Sequence, residues 1–261
     1  MSAEVHPSAV VSPEAVLGEG VAIGPYAVIG DGVVLGAGSS VGAHASIQGP
    51  AILGEDNRVF PHAVIGFDPQ DLKYRGEPTR VVIGARNVFR EFSTVHRGTA
   101  TGNGETVIGD DNYFMNFSHV AHDNRIGSRV VLANGAVLAG HVEVGDYAIL
   151  SAYSGAHQFI RIGKYAFVGA YSPLRRDVLP YCRTDGAEGE VKTYGLNTVG
   201  LKRHGFSDDR LDALQKAYRL LVKSKLNTSQ ALERIAAELP NQPDVEELVG
   251  FIRGSERGFI K

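Results

Sequence analysis

A large apolar side chain recurs at every sixth position of this chain, and no other feature restricts its fold as tightly. From Val5 the register runs through Val11, Leu17, Ile23, Ile29, Leu35, Val41, Ile47, Leu53 and Val59 to Ile65 without a miss. It resumes at Ile83, Phe89 and Val95. It then runs from Ile108 through Phe114, Val120, Ile126, Leu132, Leu138, Val144, Leu150, Ala156, Ile162 and Val168 to Leu174. Of these 26 positions, 23 are Ile, Leu or Val. Four residues after the key position the side chain is mostly small, as at Ala9, Ala15, Ala27, Ser93, Ser118, Ala136 and Ala166. A helix repeats about every 3.6 residues and a strand about every two, so neither alone gives a period of six. Short strands joined by tight turns do give it, each strand pointing one large and one small residue inward. That is a hexapeptide parallel β-helix. Three hexads would close a triangular coil of about 18 residues, and about nine coils at ~4.8 Å would build a prism ~40 Å tall. A β-sandwich fits poorly, because its turn signals fall at irregular spacings of about 8–12 residues.

Two breaks interrupt the register. The first expels extra residues at 67–81, "FDPQDLKYRGEPTRV", and the second at 99–107, beginning "TATGNGE". Solenoids place insertions on loops, often on the binding face. Counted by threes, both loops leave the side of the prism that carries the hexad starting at Val120. After Leu174 the repeat stops. "SDDRLDALQKAYRLLVKS" reads as a helix with Ser207 as N-cap and two acidic residues in its first turn. "TSQALERIAAEL" and "DVEELVGFIRG" read as two more, with Thr228 or Ser229 and Asp244 as caps. The expected layout is therefore a repeat domain over 1–180 and a helical domain over 181–261 that terminates the open coil.

The 261 residues carry a formal charge of −3, spread along the chain. Nucleic acid as a main partner is disfavoured, since phosphate neutralisation needs a basic surface. A single cysteine, Cys182, rules out an intrachain disulfide and any zinc site built on several cysteines. No basic segment leads into an apolar run at the N-terminus, and no apolar stretch reaches membrane-spanning length. A soluble, cytoplasmic protein is expected.

"NFSHVAHDNRIG" then stands out among the aliphatics and glycines. Residues one coil apart stack, so His122 lies over Gly140 and Gly140 over Gln158. Correcting for the second insertion, Arg97 lies one coil before His122. Asp123 stacks with His141, and His157 precedes Gln158. Five of the nine histidines, His96, His119, His122, His141 and His157, fall in this stretch. Such a column can bind a metal, transfer protons, or sit as solvated turns.

"QDLKYRGEPTRV", "HRGT", "HVAHDNRIG", "LANGAVLAGHV", "AHQF" and "GLKRHGF", in that order, resemble the UDP-N-acetylglucosamine O-acyltransferase family of lipid A biosynthesis. The resemblance spans essentially the whole chain. It implies a left-handed coil, against the right-handed default for parallel crossovers, and a homotrimer. It implies transfer of a 3-hydroxyacyl group from acyl carrier protein to the 3-hydroxyl of the glucosamine ring, with no cofactor and no metal. A sugar hydroxyl is a poor nucleophile at neutral pH, and a histidine suits the work of taking its proton. The family's base matches His122, with Asp123 orienting it. Gly140 matches the N–H donor for the oxyanion, although a glycine there also suits a turn. The sugar-nucleotide contacts match Asp71, Lys73, His119, His141, Gln158, Asn197 and Arg203, with His157 beside them. Arg203 would meet phosphate. Ala170 matches the position that sets acyl-chain length, where a glycine admits the longer chain. His204 stands where a second arginine is common and Val199 where an acid is common, and 182–192 is slightly long.

Three rival readings remain on the residues. One is N-acylation of the 3-amino analogue of the sugar nucleotide, since the same base serves both acceptors. Another is a γ-type carbonic anhydrase, which shares the β-helix and uses three histidines from two subunits around a metal. The third is a non-catalytic structural β-helix.

Overall fold

A computed structural model describes residues 2–186 and 190–261. Strands of mostly two to four residues stack into three sheets that close a triangular prism. Face 1 begins with Glu4–Val5, face 2 with Val10–Val11 and face 3 with Val16–Leu17. Within each face the repeat strands pair in parallel, and an uninterrupted coil advances by 18 residues, as Val10 to Val28 and His119 to Val137 show. The hexad explains the core. Ile29, Ile47, Ile65, Leu132, Leu138 and Leu150 point inward and are no more than 1% exposed. The small residues between them, such as Ala27, Ala45, Ala63 and Ala136, fill the space a second large side chain would overpack.

The corners carry a regularity that the aliphatic repeat does not announce. Three residues after most key positions the backbone turns through positive φ, and the residue is commonly not glycine: Tyr26, His44, His62, Phe92 and Phe117 have φ between 56° and 62°. An L-residue there costs roughly 1–2 kcal/mol. Along the corner between faces 1 and 2 these rings stack on one another at 4.9–5.1 Å, which offsets part of that cost.

Both insertions leave the corner between faces 2 and 3. The first joins Val64–Phe67 to Arg80–Ile83 and the second joins Thr94–His96 to Glu105–Ile108. The loops proper are thus 68–79 and 97–104: the first is trimmed at both ends by strand pairing, and the second begins two residues before the expected span and ends three residues before its end, where Glu105–Ile108 pairs as strand.

Strand structure also continues past 180. Cys182–Asp185 adds to face 1 beside Phe167–Val168, and Lys192–Leu196 returns antiparallel to it. Each added strand satisfies backbone groups that an open edge would leave unpaired. Helices α1 (Thr198–Arg203), α2 (Asp208–Tyr218), α3 (Thr228–Glu238) and α4 (Pro243–Arg253) follow. Ser207 caps α2 as expected, accepting from Arg210 N–H. Helix α3 is capped one residue earlier than read, by Asn227 in a reciprocal pair with Gln230. Helix α4 starts at Pro243, whose missing N–H costs nothing in a first turn. Leu201, Leu214, Leu248 and Ile252 pack with Leu179 and Tyr181 of the last coil and close the end of the prism. Among the described residues no helix is long and apolar enough to cross a membrane.

Candidate active site

The histidine column is real and lies on the corner between faces 2 and 3. His122 and Asp123 connect His119–Val120 of face 2 to Arg125–Ile126 of face 3. One coil on, Gly140 and His141 connect Val137–Leu138 to Glu143–Val144, and Gln158 follows a coil later. The coils are tied directly, since His141 N–H donates to the His122 carbonyl at 3.0 Å. Asp123, His141 and Phe159 occupy the positive-φ corner position, at 60°, 61° and 65°. His122 and His141 meet edge to face at 5.2 Å, and His141 stacks on Phe159 at 4.4 Å.

His122 Nδ1 lies 2.8 Å from Asp123 Oδ2. The Asp123 side chain is fully buried, while that of His122 is 14% exposed. Burial alone would push the Asp123 carboxyl up. The hydrogen bonds from His122 and Thr99, with the backbone N–H groups of Thr99 and Asn103, outweigh burial and hold it at about 2. An ionised carboxylate only accepts, so Nδ1 must carry the proton of a neutral His122. Its Nε2 is then an unprotonated acceptor.

Gly140 is required by its contact with this ring. A Cβ built there would lie 2.5 Å from His122 Cε1 and 2.7 Å from Nε2, so any side chain would displace the imidazole. Among the described residues no acceptor faces the Gly140 N–H. A free N–H donor therefore belongs to the residue packed on the His122 ring.

Burial favours the neutral form of His96, His119 and His141. Burial, reinforced by the charges of His96 and His122, pushes His119 down to about 4. Its Nδ1 is 2.7 Å from Thr94 Oγ1. Burial also lowers His96, whose Nδ1 donates to the Asp68 carbonyl at 2.6 Å. Burial lowers His141 despite the opposing field of Asp123. Arg97, which spacing placed in the column, ties the first loop down. Its guanidinium donates to Gly49 O at 2.9 Å, to Tyr74 Oη at 3.0 Å and to Asp68 Oδ1. In that loop Asp71 lies close enough for its charge to act on His141, and it accepts from Lys73 N–H at 2.9 Å, leaving the Lys73 side chain exposed. His157 and Gln158 are exposed further along the same corner.

His122, Asp123 and His141 also form a group whose ligand atoms lie within 4.8 Å of one another. Asp123 Oδ2, however, already accepts from His122 Nδ1, Thr99 Oγ1 and Thr99 N–H. A cation would have to displace those donors. The donor set therefore fits a hydrogen-bonded dyad better than a metal cage.

Comparison with known proteins bears on the same residues. The family described as UDP N-acetylglucosamine O-acyltransferase, domain 2, matches residues 177–260, and the bacterial transferase hexapeptide family matches 14–49 and 105–140. A protein of Burkholderia vietnamiensis named acyl-[acyl-carrier-protein]–UDP-N-acetylglucosamine O-acyltransferase is 51% identical over 261 residues, covering 98% of this chain and 99% of that one. A protein of the same name from Thermodesulfovibrio yellowstonii is 45% identical over 258 residues, with 99% of each chain covered. The solved structure of a UDP-N-acetylglucosamine acyltransferase from Bacteroides fragilis superposes with a TM-score of 0.96 at 40% identity, over 98% of this chain and all of that one. The chain belongs to the UDP-N-acetylglucosamine O-acyltransferase family. Its fold is the left-handed parallel β-helix of hexapeptide repeats with a small helical C-terminal region.

Three residues that the UDP-N-acetylglucosamine O-acyltransferase resemblance assigned to the site stand elsewhere in the single chain. Asn197 caps α1, accepting from Gly200 N–H, and its amide donates to the Tyr165 carbonyl at 3.1 Å. Arg203 is exposed at the end of α1, next to His204, whose ring lies 4.7 Å from Tyr147 and 5.4 Å from Tyr165. Tyr147 and Tyr165 turn the corner between faces 3 and 1, so face 3 separates Asn197 and Arg203 from His122. Ala170 is half-buried on the corner between faces 1 and 2. Face 2, between that corner and the histidines, carries a shallow groove of about 510 Å³. Its lining includes Val137, Gly155 and Ala156, with His119 one coil earlier in the column of Val137 and Gly155, His157 toward the histidine corner, and Tyr153 and Tyr171 toward the other corner. Thr99 and Asn103 were not picked out from the sequence, although Thr99 lies within "HRGT".

Proposed function

We propose that this enzyme transfers a 3-hydroxyacyl group from acyl carrier protein to the 3-hydroxyl of UDP-N-acetylglucosamine, the first step of lipid A biosynthesis, with His122 as general base. The observation that carries the reading is the dyad. Ionised Asp123 holds Nδ1–H, and Gly140, whose N–H makes no hydrogen bond among the described residues, packs on the Nε2 side of the ring. Nε2 takes the proton of the sugar hydroxyl as its oxygen bonds to the thioester carbon. The carbonyl electrons move to oxygen, where the Gly140 N–H meets the developing charge. When the carbonyl re-forms, the carbon–sulfur bond breaks, and the imidazolium returns its proton to the departing thiolate. No metal or organic cofactor enters these steps. The reaction is placed in the cytoplasm, where a carrier-protein-dependent step on a sugar nucleotide takes place. Acyl transfer assayed on the 3-hydroxyl and 3-amino sugar nucleotides tests the acceptor, and turnover of the 3-amino compound alone would replace the O-acyl reading.

Asp71, Lys73, His119, His141, His157 and Gln158 would contact the sugar nucleotide from the His122 corner. Asn197 and Arg203 would reach it from a neighbouring subunit, because within one chain they stand across face 3. That separation favours a homotrimer with a site at each subunit boundary. Sedimentation at assay concentration is expected to give a trimer, and a fully active monomer would contradict the arrangement.

The acyl chain is assigned to the face 2 groove, whose lining includes His119 together with Tyr153 and Tyr171. Ala170 precedes Tyr171, and its methyl leaves less room than a glycine would. One mismatched methylene in an apolar pocket is worth about 1–3 kcal/mol. Ala170→Gly is therefore expected to move donor preference toward longer chains by about tenfold or more in a competition between carrier-protein donors of graded length. An unchanged profile would remove Ala170 as the ruler and leave the tyrosine pair.

A further inference from the structure

The residue after the base is unusually well held for a corner residue. On this edge the equivalent positions in the next two coils are progressively open: His141 is half-buried and Phe159 is 49% exposed, whereas Asp123 is 2% exposed. The difference is the second insertion, which leaves the coil one step earlier and folds over Asp123 of its own chain. Thr99 Oγ1 donates to Asp123 Oδ2 at 2.7 Å, and Thr99 N–H lies 3.1 Å from both carboxylate oxygens. Asn103 N–H donates to Oδ1 at 2.8 Å. The Thr99 carbonyl in turn accepts from Gly102 N–H at 3.1 Å and Gly104 N–H at 3.0 Å, so the residue that binds the carboxylate also closes the loop. Gly102 packs directly on the carboxyl group, since a Cβ there would lie 2.5–2.6 Å from its carbon and both oxygens.

These contacts leave the carboxylate one orientation. Both oxygens are engaged from the loop side, so the remaining lone pair of Oδ2 points at His122 Nδ1. A carboxylate without those donors would rotate, and His122 would lose the partner that selects its tautomer.

We infer that Thr99 is a positioning residue for His122, acting through Asp123, and that the 97–104 loop is the element that fixes the dyad. The kinetic part of this rests on His122 being the base. The structural part does not.

The test uses the full chain in its native assembly, with the isosteric Thr99→Val, the conservative Thr99→Ser and, independently of Thr99, Gly102→Ala. Nitrogen-15 NMR of histidine-labelled enzyme reads the His122 ring. The wild type is expected to show the Nδ1–H tautomer. Thr99→Val should mix the tautomers and lower kcat by about 10-fold or more, the usual loss when the partner orienting a working histidine is removed. KM for the sugar nucleotide should stay unchanged. Thr99→Ser should restore both tautomer and kcat, because it restores the hydroxyl. Gly102→Ala, which pushes on the carboxylate without removing a donor, should repeat the Thr99→Val pattern, and it stands in if Thr99→Val does not fold. A Thr99→Val enzyme with wild-type kcat and an unmixed tautomer would overturn the inference. So would a Thr99→Ser enzyme as impaired as Thr99→Val, since the hydroxyl would then be irrelevant. If His122→Ala proves active, the base assignment fails, but the NMR comparison still decides whether Thr99 orients the dyad.

Discussion

His122→Ala is expected to lower kcat by about 10²–10⁴-fold, the usual contribution of a positioned general base, while the protein keeps its fold and its assembly. The fold should survive because His122 sits on the surface of a corner rather than in the core, and its backbone ties to the next coil do not use the side chain. The carboxylate beside it should survive as well. Asp123 loses one donor but keeps the Thr99 hydroxyl, the Thr99 N–H and the Asn103 N–H. The loss should appear in kcat with little change in KM for either substrate, because a base acts on the transition state and adds little to binding. Steady-state kinetics on a variant with unaltered circular dichroism and sedimentation checks this. Near-normal turnover would take His122 out of the mechanism. None of His96, His119 and His141 is placed to substitute, because none of them bonds a carboxylate as His122 bonds Asp123.

The prism was legible in the sequence because a β-helix writes its geometry directly into a period. One aliphatic residue per hexad must point inward, and each of Ile29, Ile47, Leu132 and Leu138 does. The stacking of His122 on Gly140 followed from the same count, since nothing interrupts the coil between them. Arg97 shows where counting stops. Its backbone is one coil before His122 as read, but its guanidinium turns to bind Gly49, Asp68 and Tyr74, and the loop it anchors has no period to read. Thr99 and Asn103 were missed for a related reason. Three of the four donors to Asp123 come from that aperiodic loop, two of them backbone N–H groups whose direction depends on loop conformation. The placement of Asn197 and Arg203 was hidden for another reason. Motif order along a chain carries no information about which corner of the prism a later segment docks on. The corner tyrosines and histidines at positive φ are legible in retrospect. They recur three residues after the key position, where an ordinary reading looks for glycine, and stacking between coils takes the place of glycine's freedom.

Asp123→Asn is expected to cost both activity and stability, and the two losses should separate with pH. The amide is nearly the same size as the carboxylate, so the cavity is preserved. Its NH₂, however, must face the Thr99 and Asn103 donors on one side or His122 Nδ1–H on the other. Facing the loop, it leaves buried N–H groups without acceptors, at about 1–3 kcal/mol for each. Facing His122, it donates to Nδ1 and forces the opposite tautomer, which puts the proton on the nitrogen that must accept one. Either arrangement should lower kcat by about 10²-fold or more. The stability loss carries a pH signature. Asp123 is held at about 2, below the 3.8 of an ordinary aspartate, so its ionisation favours the folded state. That contribution is complete above pH 3.8 and disappears as pH falls through about 2. The asparagine variant has no such contribution at any pH. The gap in melting temperature between wild type and Asp123→Asn should therefore be full at pH 7 and narrow steadily below pH 4, with the wild type falling toward the variant. A gap that stays constant down to pH 2 would mean that the fold does not lower the Asp123 pKa. The donors around the carboxylate would then not be stabilising its charged form.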